Sequence, residues 1–493
     1  MTTDPPTQVG AAPEPPFSTK TVNPLSLPPG KLLNCTTSWT PASVRYREIT
    51  RPKSMPVLNS GSILTDHQSG SFYVYGGEVP FKPSADTSTL WRFFTDGKGR
   101  GMWSNEAPEN AATFLHIDRN SRAAYASAKD QGFIFGGKVL NQDSKPMKDN
   151  VIGYKTFDFT TKRRGEIVDA PYSADGSLFG ATATFVESFG PSGIIVLLGG
   201  GVRQDQPASG YLDLHTVYFY DIAEKKWHSQ ATSGEIPPQR DTGCALGVSD
   251  TSHNSSFEIF LFGGTNEDTQ TALGSIYALS LPGFTWTLVN NQPGRQRRHH
   301  VCVTTGNHLL SSFGGLDFED DFYGSKDPLP RSIGIFNMNT YSWEDSYDAN
   351  AGPYLTNAGI KSWYENGGLS SVQWSSDEVR ALFGRNPSGT YNGGNLGFGG
   401  GRDHTDSVDG EPVGPIVGGV LGGVAGIAFV LVAIWFVMRR RKRRPKEQPC
   451  PSAASHSRYD QTPSGMWEWA ELSEAAAAQF TLVELDGSGF RQQ

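Results

Sequence analysis

His299, His300 and Cys302 form the one tempting group of metal-ligating residue types in this 493-residue chain. Neighbouring residues on a regular strand point to opposite faces, so His299 and His300 cannot both reach one ion from such a strand. Asp317, Glu319, Asp320 and Asp321 form an acidic loop, but calcium needs more oxygen ligands in a defined loop, and this one reads as solvated. Gly397 to Gly401 lacks a following helix and reads as linker, not as a phosphate cradle. No catalytic, cofactor-binding or metal site is therefore assigned. Cys244 and Cys302 each lie four residues after an arginine, Arg240 and Arg298, and so read as equivalent positions of adjacent sheets. Packed sheets stand ~10 Å apart, whereas a disulfide needs Cα atoms within ~7 Å. Both are expected to be unpaired core residues. Asn34-Cys35-Thr36 and Asn254-Ser255-Ser256 are N-glycosylation sequons. Asn254 sits in a polar stretch between candidate strands, where a glycan has room.

Charge narrows the partners. The chain carries a formal net charge of -8, and the basic residues concentrate after residue 438. A mildly acidic main body argues against a nucleic-acid surface, which needs a basic stripe. Val413 to Met438 is uncharged and long enough to cross a bilayer. Arg439, Arg440, Arg441, Lys442, Arg443 and Arg444 follow it directly, and Asp403, Asp406, Asp409 and Glu411 precede it. The positive-inside rule then puts the C-terminus in the cytosol and the long upstream segment outside it, at the plasma membrane or a secretory-pathway membrane. Gly418 and Gly422, like Gly422 and Gly426, are four apart, a spacing that would let a second copy of the helix approach as a homodimer.

The elements upstream repeat. A Gly-Gly pair preceded by apolar residues occurs at Gly76-Gly77, Gly136-Gly137, Gly199-Gly200, Gly263-Gly264 and Gly314-Gly315. Each reads as a short apolar strand ending where the backbone must turn sharply. In three units an apolar or aromatic residue lies seven before a tryptophan: Tyr220 and Trp227, Leu279 and Trp286, Phe336 and Trp343. This reads as a hairpin that carries a large ring onto a neighbouring sheet. The second unit has Arg164 where the tryptophan belongs, and the first has an expanded hairpin before Trp103.

These features, in this order, resemble the Kelch repeat over residues 45–385. The resemblance implies an all-β Kelch-type propeller of four-stranded blades around an axis, one of them closed by a strand from the other end of the chain. Six blades are expected, with seven as the alternative count and the first incomplete. Ser371 to Trp374 and Val379 to Phe383 are candidate further strands. The whole arrangement resembles fungal single-pass membrane proteins with an extracellular Kelch propeller, which begin with a signal peptide and an additional blade half. The first 30 residues are proline-rich and hold no apolar run of signal-peptide length. An incomplete N-terminus, from a mis-assigned start or a missing exon, is the expectation.

The domains read as a disordered lead-in over 1–38, a propeller over 39–385, a Gly-rich linker over 386–412, a transmembrane helix over 413–438, and a mostly disordered cytosolic tail over 439–493. The function this implies is non-catalytic: a membrane-anchored propeller that binds a protein or glycan ligand without a cofactor. A copper radical oxidase resembling galactose oxidase is the first alternative. It would need two His, two Tyr and a Cys–Tyr crosslink near the axis. A membrane-tethered cytosolic Kelch scaffold is the second.

Overall fold

A computed structural model describes residues 19–24 and 480–484, together with 30–384 apart from several loops, the longest being 78–89, 111–119, 140–150 and 317–328. Five blades of four antiparallel strands follow one another along the chain, one of them, blade D, extended at its outer edge by the short parallel strand Ser233–Gly234. Their innermost strands are Ser62–Asp66 (blade A), Ala124–Ser127 (blade B), Thr182–Val186 (blade C), Cys244–Ser249 (blade D) and Arg298–Thr305 (blade E). Next outward come Ser71–Tyr75, Gln131–Phe135, Ile194–Leu198, Phe257–Phe262 and Leu309–Leu316. These second strands are nearly continuous apolar runs because both of their faces are covered by adjoining blades.

The Gly-Gly pairs join one blade to the next. The ten glycines have φ between 57° and 100°, a region closed to most residues. The amide N–H of the second glycine donates to the following blade: Gly77 to Asn120 O, Gly137 to Leu178 O, Gly200 to Arg240 O and Gly264 to Arg297 O, at 2.6–2.8 Å. The first glycine has no room for a side chain. A Cβ on Gly136 would stand 2.0 Å from Leu178 O, and one on Gly263 2.3 Å from Arg297 O.

The tryptophans pack towards the preceding blade. Trp227 of blade C meets Phe135, Tyr154 and Tyr172 of blade B edge-on. The Trp286 indole donates to Leu214 O at 3.2 Å, and Trp343 of blade E donates to Asn290 Oδ1 of blade D, also at 3.2 Å. Arg164 takes the same role in blade B, its guanidinium 4.8 Å from the centre of the Tyr75 ring in blade A.

The expected count of six blades, with seven as the alternative, is corrected to five Kelch blades. The sixth sector of the ring holds a sheet of a different kind, in the order Phe480–Glu484, Thr19–Pro24, Gly30–Asn34, Tyr46–Ile49. It has no Gly-Gly splice. Leu33, Cys35, Trp39 and Val44 pack with Val303, Phe313 and Ile335 of blade E. Ile49 packs with Ile63, Phe72 and Phe93 of blade A on the other side.

The candidate strands at 371–374 and 379–383 are also corrected. Gly368–Ser371 is a 3₁₀ turn and Asp377–Phe383 an α-helix. Ser376 caps that helix by accepting the Val379 N–H, and Asp377 and Glu378 fill its first turn. Val379, Leu382 and Phe383 recur at helical spacing and cover a core shared by blades C and D. Among the described residues no helix is long and apolar enough to cross a membrane. Val413 to Met438, the acidic loop at 317–321 and Asn254 lie outside the described residues.

Candidate functional site

The inner strands of the five blades converge on an axial cavity of about 420 Å³. Each enters by way of one residue with left-handed backbone: Ser60 (φ 53°), Arg122 (54°), Gly180 (65°), Thr242 (53°) and His299 (54°). These residues are joined around the axis. Arg122 N–H donates to Ser60 O, Gly180 N–H to Arg122 O, Thr242 N–H to Gly180 O and His299 N–H to Thr242 O, at 2.7–3.0 Å. The result is an arc of backbone hydrogen bonds that sets the rim of the cavity. A left-handed residue costs roughly 1–2 kcal/mol for any side chain, and the rim bonds offset it. The walls below are built of small residues, among them Ala124, Ala126, Thr182 and Thr184.

The rim is basic. Arg122, Lys138 and Arg298 gather around Asp241. Burial raises the Asp241 carboxyl, against the lowering effect of hydrogen bonds from Thr242 and Thr265 and of Arg122 and Lys138. His299 is pushed down to about 3, first by burial and then by Arg122 and Arg298, so it adds no charge at neutral pH. Lys138 Nζ lies 3.8 Å from the centre of the Phe179 ring.

His299 and His300 do not converge. The register of blade E runs unbroken from Arg298↔Leu316 to His300↔Gly314, and His299 between them leaves the regular strand only through its left-handed backbone, φ 54°. His300 is fully buried between blades D and E. Its Nε2 stands 3.0 Å from Cys244 Sγ, and Phe262 meets its ring edge-on at 4.8 Å.

The expectation of unpaired Cys244 and Cys302 is overturned: they form a disulfide, with Cα atoms 5.7 Å apart. The frame explains it. Arg240 and Arg297 occupy equivalent acceptor positions, and Thr242 and His299 equivalent donor positions. Counted from these, Cys302 is one residue past the match of Cys244. An offset of one places the two side chains on opposite faces of their sheets, so they face each other across the gap. Arg297-Arg298 is a tandem pair, and taking Arg298 as the marker hides this. The inner strands also approach more closely near the axis than sheets packed face to face.

The other predicted residues fall as follows. All ten signature glycines sit at the ends of second strands, and Trp103, Trp227, Trp286 and Trp343 lie on outermost strands. Asn34 is half-buried, and its Oδ1 accepts from Thr36 Oγ1 at 2.7 Å and Thr36 N at 2.9 Å. The rim has a faint signal in the sequence: its residue lies two before the inner strand in blades A to D and is the second residue of Arg298–Thr305 in blade E. Its five members share a backbone conformation and no residue type.

Residues 180–359 match a family model described as the KLHDC2/KLHL20/DRC7 Kelch-repeats domain. A Kelch repeat-containing protein of Arthroderma benhamiae is 24% identical over 366 residues, covering 64% of this chain and 52% of that protein. The Kelch domain-containing protein 3 of Homo sapiens is 27% identical over 154 residues, 30% of this chain and 37% of its own length. The Mus musculus protein of the same name is 28% identical over the same length. The chain thus spans about half or less of the length of the curated relatives it matches. The five blades, the glycine splices and these relatives together support a Kelch-type β-propeller.

Proposed function

We propose that this protein is a non-catalytic propeller that captures an acidic segment of a protein or glycan ligand on its rim, and that residues 413–438 tether it to a membrane at the cell surface or in the secretory lumen. The observation that supports the ligand reading is the gathering, among the described residues, of Arg122, Lys138 and Arg298 around Asp241, whose ionisation burial disfavours. Fixed cations beside a cavity mouth attract and orient anionic groups. The fold alone does not give function, and propeller specificity lies in the loops it presents. Copper radical chemistry takes two tyrosines at the axis. Among the described residues lining the cavity there is one, Tyr125.

The tether rests on the uncharged run and the cations after it. It places residues 439–493 across the bilayer from residues 19–24. Such an arrangement is incompatible with the pairing of Phe480–Glu484 with Thr19–Pro24 in the structure, and the topology of the two ends decides between them. The test of ligand class uses the full chain in detergent on an array of acidic and neutral peptides and glycans. Retention of acidic probes is expected, with at least a tenfold loss in the Arg122→Glu/Arg298→Glu double variant. Equal retention of neutral probes, or an unchanged double variant, contradicts the reading.

A further inference from the structure

Cys244, His300 and Cys302 take no part in the rim. Their ligand atoms all lie within 4.8 Å of one another, and they come from the inner strands of two blades. His300 is held firmly. A Cβ on Gly263 would stand 2.7 Å from its Cε1, and one on Gly315 would stand 2.7 Å from its Cβ. The imidazole therefore fills the space that the two splice glycines leave. Its Nδ1 is buried without a hydrogen-bond partner among the described residues, and its Nε2 has the Cys244 sulfur beside it. A fully buried imidazole with one weak sulfur contact is a polar group without adequate partners. All three residues line the axial cavity, so the cluster is reached from the channel.

We propose that these three residues are a redox-gated zinc site: closed while Cys244 and Cys302 are bridged, and able to take one Zn²⁺ once the bridge is reduced. The chemistry balances with a cellular dithiol as reductant. It delivers two electrons and two protons to the bridge, the S–S bond breaks to two thiols, and the dithiol becomes a disulfide. Zn²⁺ then displaces the two thiol protons and forms two Zn–S bonds and one bond to His300 Nε2. Three protein ligands leave a fourth position, which faces the channel. Tetrahedral coordination with Zn–S near 2.3 Å needs sulfurs about 3.8 Å apart. The two Cα atoms, 5.7 Å apart, accommodate that by rotating the cysteine side chains. Two thiolates and an imidazole suit zinc over calcium or magnesium, which take oxygen ligands.

Cobalt is the probe, since Co²⁺ replaces zinc and reports thiolate ligation by near-ultraviolet charge transfer. The full chain is reduced with a water-soluble phosphine, desalted without oxygen, and titrated with Co²⁺. One equivalent should bind with sulfur-to-cobalt charge transfer and be displaced by Zn²⁺, while the unreduced protein binds none. Cys244→Ser and Cys302→Ser should each lose most of the charge-transfer intensity, His300→Gln should weaken cobalt binding at least tenfold, and Cys35→Ser should change nothing. Circular dichroism of each variant separates loss of the site from loss of the fold. Reduced, folded protein that takes up no cobalt overturns the proposal. So does uptake that survives in a folded Cys302→Ser variant with its charge transfer unchanged.

Discussion

At the scale of single residues, two features give sharp expectations. Gly263 has φ 67° and no space for a Cβ. Gly294 has φ 76°, and a Cβ there would meet nothing within 4 Å. Both substitutions to alanine incur the left-handed strain, and only Gly263→Ala must also push apart two blades. Gly263→Ala is expected to cost about 3 kcal/mol or more, and Gly294→Ala about 1 kcal/mol, by denaturant unfolding. Glu258 is the second. Its carboxyl is fully buried in blade D, accepts from Ser280 Oγ at 3.0 Å and Thr356 Oγ1 at 3.3 Å, and is pushed up to about 7 by burial. A carboxyl whose folded pKa is raised favours the folded state most below its unfolded pKa near 4.5. That stability is lost as pH rises through about 7. Stability should fall between pH 5 and 8, by roughly 3 kcal/mol at most, and Glu258→Gln should flatten the dependence. A wild-type protein equally stable at both pH values would contradict this. The two features differ in how far the sequence reveals them. The Gly-Gly pairs are legible, because only glycine meets that backbone demand, but the burial of Glu258 depends on residues near 354–364 folding back over blade D.

At the scale of elements, the outermost strands act by reaching backwards. Trp286 is almost fully buried and hydrogen-bonded to blade C, whereas Trp103 is half-buried and its indole N–H has no partner among the described residues. Trp286→Ala should cost about 3–5 kcal/mol and Trp103→Ala clearly less, measured side by side by thermal and denaturant unfolding. The seven-residue step from Tyr220 to Trp227 or Leu279 to Trp286 is readable because these residues pair across a hairpin. The helix Asp377–Phe383 passes for a strand when Val379 to Phe383 is taken only as a short apolar run. Its cap, its acidic first turn and its apolar spacing are all in the sequence. Phe383→Ala should cost about 3–4 kcal/mol, since its ring packs on Phe189, Phe219 and Phe284. A loss under about 1 kcal/mol would mean that the helix does not cover this core.

At the scale of the whole molecule, the ring and the route of the chain are separate questions. Sequence repeats announce blades A to E because each must present the same splice to its neighbour. The sixth sector carries no such signature, since its sheet joins strands from distant parts of the chain. The rim is likewise invisible to a search for shared residue types, because its residues are selected by backbone shape. Membrane insertion predicts an endoglycosidase-sensitive mobility shift at Asn254, removed by Asn254→Gln, while a reporter after residue 493 stays in the cytosol. An unglycosylated chain with both ends on one side would favour the pairing of Phe480–Glu484 with Thr19–Pro24 instead. In the proposed reading the five blades present one working face, the basic rim of the axial channel. Hydrogen–deuterium exchange of the full chain, with and without an acidic probe retained on the array, tests it most directly. Protection confined to peptides covering 119–123, 178–182, 240–244 and 297–301 is predicted, and protection confined to the outermost strands or to residues 357–384 would contradict it.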